Sequence, residues 1–286
     1  MDVLFAYLPE LTAYYVTRSE AQTESTKQLG QLLEFLDEWY ASHKQNLSPL
    51  LEHGEITYDL LWALFKPNST VFTVCPDSEE PKCLIFDYGT ATTGKGQKYF
   101  EMSCRSLYYD GRFFGEIQTF IKIPEFRGAR KITSLEVFPF QYHKQASEVK
   151  SELVKRGRKF MSLMGVFHCE FKGLAFYKSK GKAIKFNIKG RTVIDAASFK
   201  ELNANYANLS LDPEDEDYFA RRFEDRRQLE SGTSKVKKSL QATEISDDEA
   251  THCSPTVQGF SLSKRIWGKC AFPWAFPYCH REGTCS

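Results

Sequence analysis

Apolar positions in this chain follow a helical period at the start, a two-residue period in the middle, and then a mixture. Leu29, Leu32, Leu33, Leu36, Trp39 and Tyr40 recur at three- and four-residue intervals opposite Glu34, Asp37 and Glu38, which predicts an amphipathic helix. Ser48-Pro49 reads as the capped start of another helical stretch, with Pro at the first helical position, and Gly54 as a break. Ile56, Leu60, Leu61 and Leu64 predict a second amphipathic helix, which carries Trp62 and is stopped by Pro67. From residue 70 the period is two, and residues 71–74, 83–88, 100–109 and 113–123 read as strands. Asp110-Gly111, between two aromatic runs, is a hairpin signal. A further strand is predicted over 132–138, closed by Pro139. The helical period returns with Val149, Leu153, Gly157, Phe160 and Met164 on one face, and Lys155, Arg156, Arg158 and Lys159 largely off it. Strands follow near 166–177 and 183–193. The pattern is α+β: N-terminal helices, a largely antiparallel β-sheet domain with a packed helix, then a charged linker.

The linker is set by composition. Residues 212–250 are charged, with few apolar side chains, and cannot bury enough surface to offset chain entropy, so they are expected to be disordered. Within them, residues 218–229 alternate Glu224 and Asp225 with Arg221, Arg222, Arg226 and Arg227, the makings of a transient helix. Ser246, followed by Asp247-Asp248-Glu249, resembles a site for an acidophilic kinase. The expected organisation is an N-terminal segment at 1–22 and an α+β domain at 23–211, helical over 23–66 and sheet-rich over 70–211. The linker at 212–250, a segment at 251–268 and an atypical tail at 269–286 follow.

With 286 residues the chain has length for one large domain or two small ones, and 23 Phe with 14 Tyr favour a folded, sheet-rich body. The N-terminus lacks a basic region ahead of its apolar residues and is interrupted by Pro9, so it makes a poor signal peptide. No apolar run approaches the roughly 20 residues of a membrane span. The expectation is an intracellular protein, cytoplasmic or nuclear, not secreted and not membrane-bound, with its eight cysteines mostly reduced. The Asn-x-Ser/Thr sequons at Asn46, Asn68 and Asn208 then carry no weight.

The net charge of +1 conceals an asymmetry. Residues 1–65 hold three Lys/Arg against ten Asp/Glu, whereas residues 122–191 hold 17 Lys/Arg against five. Such blocks steer partners or neutralise one another within the molecule. The basic region also carries Phe167, Phe171, Phe176, Tyr177 and Phe186, the residue types of a single-stranded nucleic-acid platform, but these do not keep one strand parity.

Residues 89–96 read Gly-Thr-Ala-Thr-Thr-Gly-Lys-Gly, one residue short of a phosphate-binding loop. Gly96 stands where a Ser or Thr hydroxyl must hold Mg²⁺, and strand periodicity follows where a helix is needed. The segment is therefore read as a long hairpin turn. His168-Cys169-Glu170 alternate across a strand, so they cannot form a nucleophile–base pair, and Cys169 is expected to be buried. Cys75 and Cys83 flank a loop and read as hairpin packing. Cys270, Cys279, His280 and Cys285 have metal-binding atoms without a standard metal spacing. No catalytic, cofactor-binding or metal residue is assigned, and no small-molecule substrate is expected.

Several blocks together resemble one family. They are residues 50–68, with His53-Gly54-Glu55 and Trp62-Ala63-Leu64-Phe65-Lys66-Pro67-Asn68; Phe126-Arg127-Gly128-Ala129-Arg130; and residues 135–143. Residues 157–165, opening Gly157-Arg158-Lys159-Phe160, and residues 253–262, opening Cys253-Ser254-Pro255, complete the set. This resembles the domain of unknown function that precedes the AAA-type ATPase module in large proteins of filamentous fungi, from about residue 25 to Gly268. The resemblance implies a region that recruits substrates or adaptors for an ATP-driven motor, and it carries no functional residues. The expected function is a non-catalytic protein-interaction or adaptor domain with a protein partner, not an enzyme. The alternative is a nucleic-acid-binding module through 122–191, and a third reading is nucleotide binding through 89–95. Past Gly268 the chain departs from the family, without Walker motifs, which reads as a truncated form lacking the motor. Sequencing the transcript beyond the Gly268 codon is expected to reveal an ATPase with a complete Gly-x-x-x-x-Gly-Lys-Ser/Thr loop. A message ending at Ser286 with no such loop downstream would make the short chain the real product.

Overall fold

The first helices bury one stripe of their apolar residues against each other and leave another outside. In the computed structural model, the described residues are 3–18, 23–94, 96–109, 111, 114–179, 182–203 and 245–271. Helices α1 (Val3–Arg18), α2 (Glu24–Trp39) and α3 (Ala41–Glu52) open the chain. The Thr23 side chain caps α2 by accepting from the Thr26 amide, 3.3 Å away. Leu8, Leu33, Leu36 and Tyr40 form a buried cluster, ringed by Phe5, Leu11, Tyr15, Leu29 and Trp62.

Two units make up the chain. The first takes residues 1–73, 84–105 and 120–146, and the second takes 74–83, 106–119 and the described residues from 147 onward. Strands β1 (Glu55–Thr57) and β6 (Ala129–Lys131) pair antiparallel in the first unit, with Glu55 opposite Lys131. Between them in sequence come α4 (Leu61–Leu64), β2 (Thr70–Val74), β3 (Pro81–Gly94), β4 (Gln97–Tyr109) and β5 (Phe114–Pro124). With β7 (Val137–Pro139), the strands β2 to β5 make a five-stranded sheet in the order β5-β4-β3-β2-β7. Ile56, Leu61, Phe65, Phe86, Phe100, Met102 and Ile132 are buried. The Phe65 ring lies 5.4 Å from Phe86 and stacks on Phe100 at 6.1 Å.

The second unit contains α5 (Ala146–Ser162), the long hairpin β8 (Phe167–Ser179) and β9 (Lys182–Ile194), and α6 (Ala196–Leu202). A short helix α7 (Asp247–Ala250) precedes β10 (Thr256–Ser261) and β11 (Ile266–Ala271). The last two strands close the hairpin into a barrel, β10-β11-β8-β9. β10 joins β9 through Gly259↔Ile194 and Ser261↔Thr192, and β11 joins β8 through Cys270↔Ala175. Phe160, Cys169, Phe171, Ala175, Ile188, Val257 and Cys270 belong to its buried core.

The architecture is α+β with antiparallel sheets, as the periodicity predicts, but several elements differ. Ser48-Pro49 does not start a helix: α3 begins at Ala41, and the Ser48 hydroxyl donates back to the Lys44 carbonyl at 2.9 Å. Pro49 near its end removes one backbone donor without breaking it. Residues 56–64 are not one helix, because 55–57 find a distant partner strand; a 3-10 turn at Tyr58–Leu60 and α4 follow. The strand expected over 132–138 divides into a 3-10 turn at Ile132–Ser134 and β7, with β6 just before.

The N-terminal segment, given no element from sequence, holds α1 despite Pro9. The linker expected to reach residue 250 ends earlier, since Ile245 is buried and Ser246 opens α7 with a capping box to Glu249. The boundary placed after 268 falls inside β11, where Cys270 is buried. The rest of the linker, the transient helix at 218–229, and Cys279, His280 and Cys285 lie outside the described residues. No helix among the described residues is long and apolar enough to cross a membrane.

Gly157 of α5 sits under α7: a Cβ placed there would lie 2.0 Å from the Ala250 carbonyl oxygen. Gly157→Val is expected to lower the urea unfolding midpoint by the equivalent of about 1–3 kcal/mol, the cost of overpacking. An unchanged midpoint would mean that α7 is not seated on α5.

Candidate functional site

The glycines of the phosphate-loop-like segment serve a sheet. β3 continues to Gly94 and pairs with β4 from Gln97, with Gly89 opposite Met102 and Ala91 opposite Phe100. The turn is thus shorter than the long hairpin loop expected. A Cβ on Gly89 would lie 2.6 Å from the Phe100 ring, and one on Gly94 would lie 2.9 Å from the Tyr99 hydroxyl. Both rings are diagonal cross-strand neighbours of the glycines and lie across them. Gly96 adopts φ of 78°, and Lys95 lies outside the described residues. A strand, not a helix, follows, so the turn does not lead into the helix N-terminus that a phosphate-binding loop requires.

Five of the described cysteines, Cys83, Cys104, Cys169, Cys253 and Cys270, are buried as packing residues. Cys169 is buried while its neighbours His168 and Glu170 are exposed on the other face of β8. Cys75 and Cys83 flank a tight connection, in which the Cys75 amide donates to the Glu80 carbonyl at 2.9 Å. Burial pushes the Cys83 and Cys253 thiols up to about 12, which keeps them protonated and unreactive. Among the described residues no three His, Cys, Asp or Glu side chains converge to hold a metal.

Arg156 corrects the sequence reading. Expected largely off the buried face of α5, it is only 7% exposed. Among the described residues, neither terminal guanidinium nitrogen has a hydrogen-bond acceptor. Burial lowers its pKa while Glu80 opposes the shift, and burial likewise raises Glu80 against the pull of Arg156. Since a guanidinium stays protonated in proteins, the pair is a long-range electrostatic tie between the 74–83 segment and α5.

The basic region divides by partner. On α5, Arg158 donates to Asp247 at 2.6 and 3.0 Å and to the Ile245 carbonyl at 2.9 Å. Lys150 pairs with Asp248 at 2.6 Å and Lys155 with Glu152 at 2.7 Å. The acidic run after Ser246 is therefore occupied by capping and ion pairs. Phe171 and Phe176 are buried, and Phe167 and Phe186 pack against the same core. Those four rings are consequently not laid out as a stacking platform.

The exposed aromatic surface lies elsewhere. On α2, Leu32, Phe35 and Trp39 are 39%, 58% and 61% exposed, at the spacing of a second helical stripe. The Phe35 and Trp39 rings stack with centroids 5.9 Å apart and planes 24° off parallel. Leu33 and Leu36 take the buried side. The single apolar stripe predicted from sequence, which placed Leu32 and Trp39 in the core and omitted Phe35, is really two. Exposed Glu34, Asp37 and Glu38 flank the outer one, and Asp37 pairs with Lys44.

Residues 46–144 match the family model of a domain of unknown function, DUF7025. The DUF7025 segment covers less than half of the chain; it contains the β3–β4 turn but not α2. No curated protein and no solved structure matches the chain. Calorimetric titration with ATP or GTP and Mg²⁺ is expected to show heats of dilution alone. Saturable binding that disappears in Lys95→Ala would restore a nucleotide site in the DUF7025 segment.

Proposed function

We propose that this chain is a non-catalytic protein-interaction module, and that it docks its partner on the outer stripe of α2. The observation that supports this reading is the stacked Phe35–Trp39 pair, two large aromatic rings more than half exposed, with Leu32 one turn away. Exposed apolar surface of this kind gains by being covered, at about 25 cal/mol per Å² removed from water. Aromatic anchors also dominate interface energetics because they bury large area at little entropic cost. The partner's chemistry follows from the surroundings. With ten Asp/Glu against three Lys/Arg over residues 1–65, the surface favours an apolar segment flanked by Lys or Arg.

In this reading the chain acts as the recruiting region of a fungal AAA-type ATPase, a role that the likeness of residues 25–268 to such regions supports. The chemistry of ATP hydrolysis then belongs to the motor, not to these residues.

A peptide array probed with the full chain is expected to select apolar segments bracketed by basic residues. The Phe35→Ala/Trp39→Ala variant should lose about 2 kcal/mol, roughly 30-fold in affinity, for each anchor removed, without a fall in thermal midpoint. Undiminished peptide binding by the variant would move the interface elsewhere.

A further inference from the structure

The outer stripe of α2 has the spacing of one half of a coiled coil. Leu32, Phe35 and Trp39 follow intervals of three and four, the a, d and a positions of a heptad, and all three are exposed. The stack of Phe35 on Trp39 at 5.9 Å shows that these side chains run along one line. Continued towards the start of the helix, the same register puts Gln28 at d and Ser25 at a, so the apolar seat is the stretch from Leu32 to Trp39. A stripe confined to a and d is narrower than the face a globular core covers, and it fits one further helix.

The two borders of the stripe differ. On one side, at the e positions, Leu29 and Leu36 belong to the cluster that packs α2 within its own unit. On the other, at the g positions, stand Glu24, Gln31 and Glu38, all exposed. Among the described residues Glu24 and Glu38 have no cationic partner, whereas Asp37 is answered by Lys44. In coiled coils it is the charges at e and g that select the partner.

We infer, on the reading that α2 is the docking face, that its partner is an amphipathic α-helix with Lys or Arg along the borders of its apolar stripe. Such a helix sets its own a and d side chains between Leu32, Phe35 and Trp39, and its flanking cations meet Glu24 and Glu38. An extended peptide gains its affinity by pairing its backbone with a sheet edge, and the backbone of α2 is bonded internally. A second copy of α2 is a poor occupant. Antiparallel, it would set Glu24 and Glu38 against the same acids; parallel, it would set them against Leu29 and Leu36, which are already covered.

The probe is a labelled three-heptad peptide with Leu at a and d, Lys at e and g, and Ala or Gln elsewhere, titrated with the full chain and followed by fluorescence anisotropy. Saturable binding is expected, and with unlabelled peptide the emission of Trp39 should move to the blue as its ring leaves water. Affinity should exceed that of a twin carrying Glu at e and g by more than about tenfold, and Glu24→Lys/Glu38→Lys should reverse the preference between the twins. A peptide of the same composition with Leu at alternate positions, the pattern of a strand, should bind about tenfold more weakly or worse.

The outcomes separate the occupant from the face. Failure of both twins to bind, equal binding of the twins, or equal binding of the alternating peptide overturns the basic helical partner. Self-association in sedimentation that Phe35→Ala/Trp39→Ala abolishes would overturn it too, by placing a second copy in the seat. Peptide binding that survives in Phe35→Ala/Trp39→Ala would instead remove α2 as the docking face.

Discussion

Gly157 has no side chain, and the carbonyl of Ala250 fills the space where one would begin. That close approach lets α7 lie on α5, where Arg158 and Lys150 meet Asp247 and Asp248. The capping box at Ser246 holds the single turn of α7 in shape. From there the chain passes His252, whose carbonyl accepts from the Leu107 amide at 3.0 Å, and enters β10. The barrel depends on this sequence of contacts, because β8 and β9 alone are one long hairpin. A two-stranded ribbon has little stability in water until further strands or a helix cover it. The gap at one glycine is thus a condition for closing a sheet whose last strands come from far along the chain.

Much of the second unit was legible in periodicity, and the failures share a cause. The period of α5 and the alternation in β8 and β9 are local and strong, so their positions follow from the sequence. β10 contains Gly259 and β11 contains Gly268, which weaken any strand signal. Both glycines are required by close approach, Gly259 to the Val193 carbonyl and Gly268 to the Phe176 carbonyl. Only the assembled barrel shows why they are there. Arg156 illustrates the same limit, since helical spacing gives its angle on α5 but not which segment covers that angle. On α2, the apolar positions span a wider arc than one neighbour can cover. Sequence identifies which residues are apolar, and packing decides which of them stay outside.

Charge follows similar logic at longer range. A balance of +12 over residues 122–191 suggests one basic surface, but the fold separates it into parts with opposite fates. On α5, Lys150, Lys155 and Arg158 are answered by Asp248, Glu152 and Asp247, so they contribute to cohesion within the unit. Exposed ion pairs of this type are individually worth little, and their role here is to orient a short helix that is already fixed by its cap. On the barrel, Lys185 is answered by Glu79, while Lys172 and Lys189 stand opposite one another on the outer face of the hairpin. Net charge summed along a sequence cannot separate these cases, because Asp247 and Asp248, which answer Arg158 and Lys150, lie far downstream.

Closure of the β8–β11 barrel has a further consequence. Each of its four strands has a bonded neighbour on both sides, so the ring presents no terminal strand. An open sheet offers unpaired amides and carbonyls to any extended peptide, which is both a recognition device and an aggregation hazard. The five-stranded sheet does end in open strands, and β7, at one border, is three residues long and finishes at Pro139. So short a border, closed by a residue without an amide hydrogen, is a poor template for a further strand. The barrel needs no such guard: a peptide cannot lengthen a ring, and its backbone polarity is spent internally.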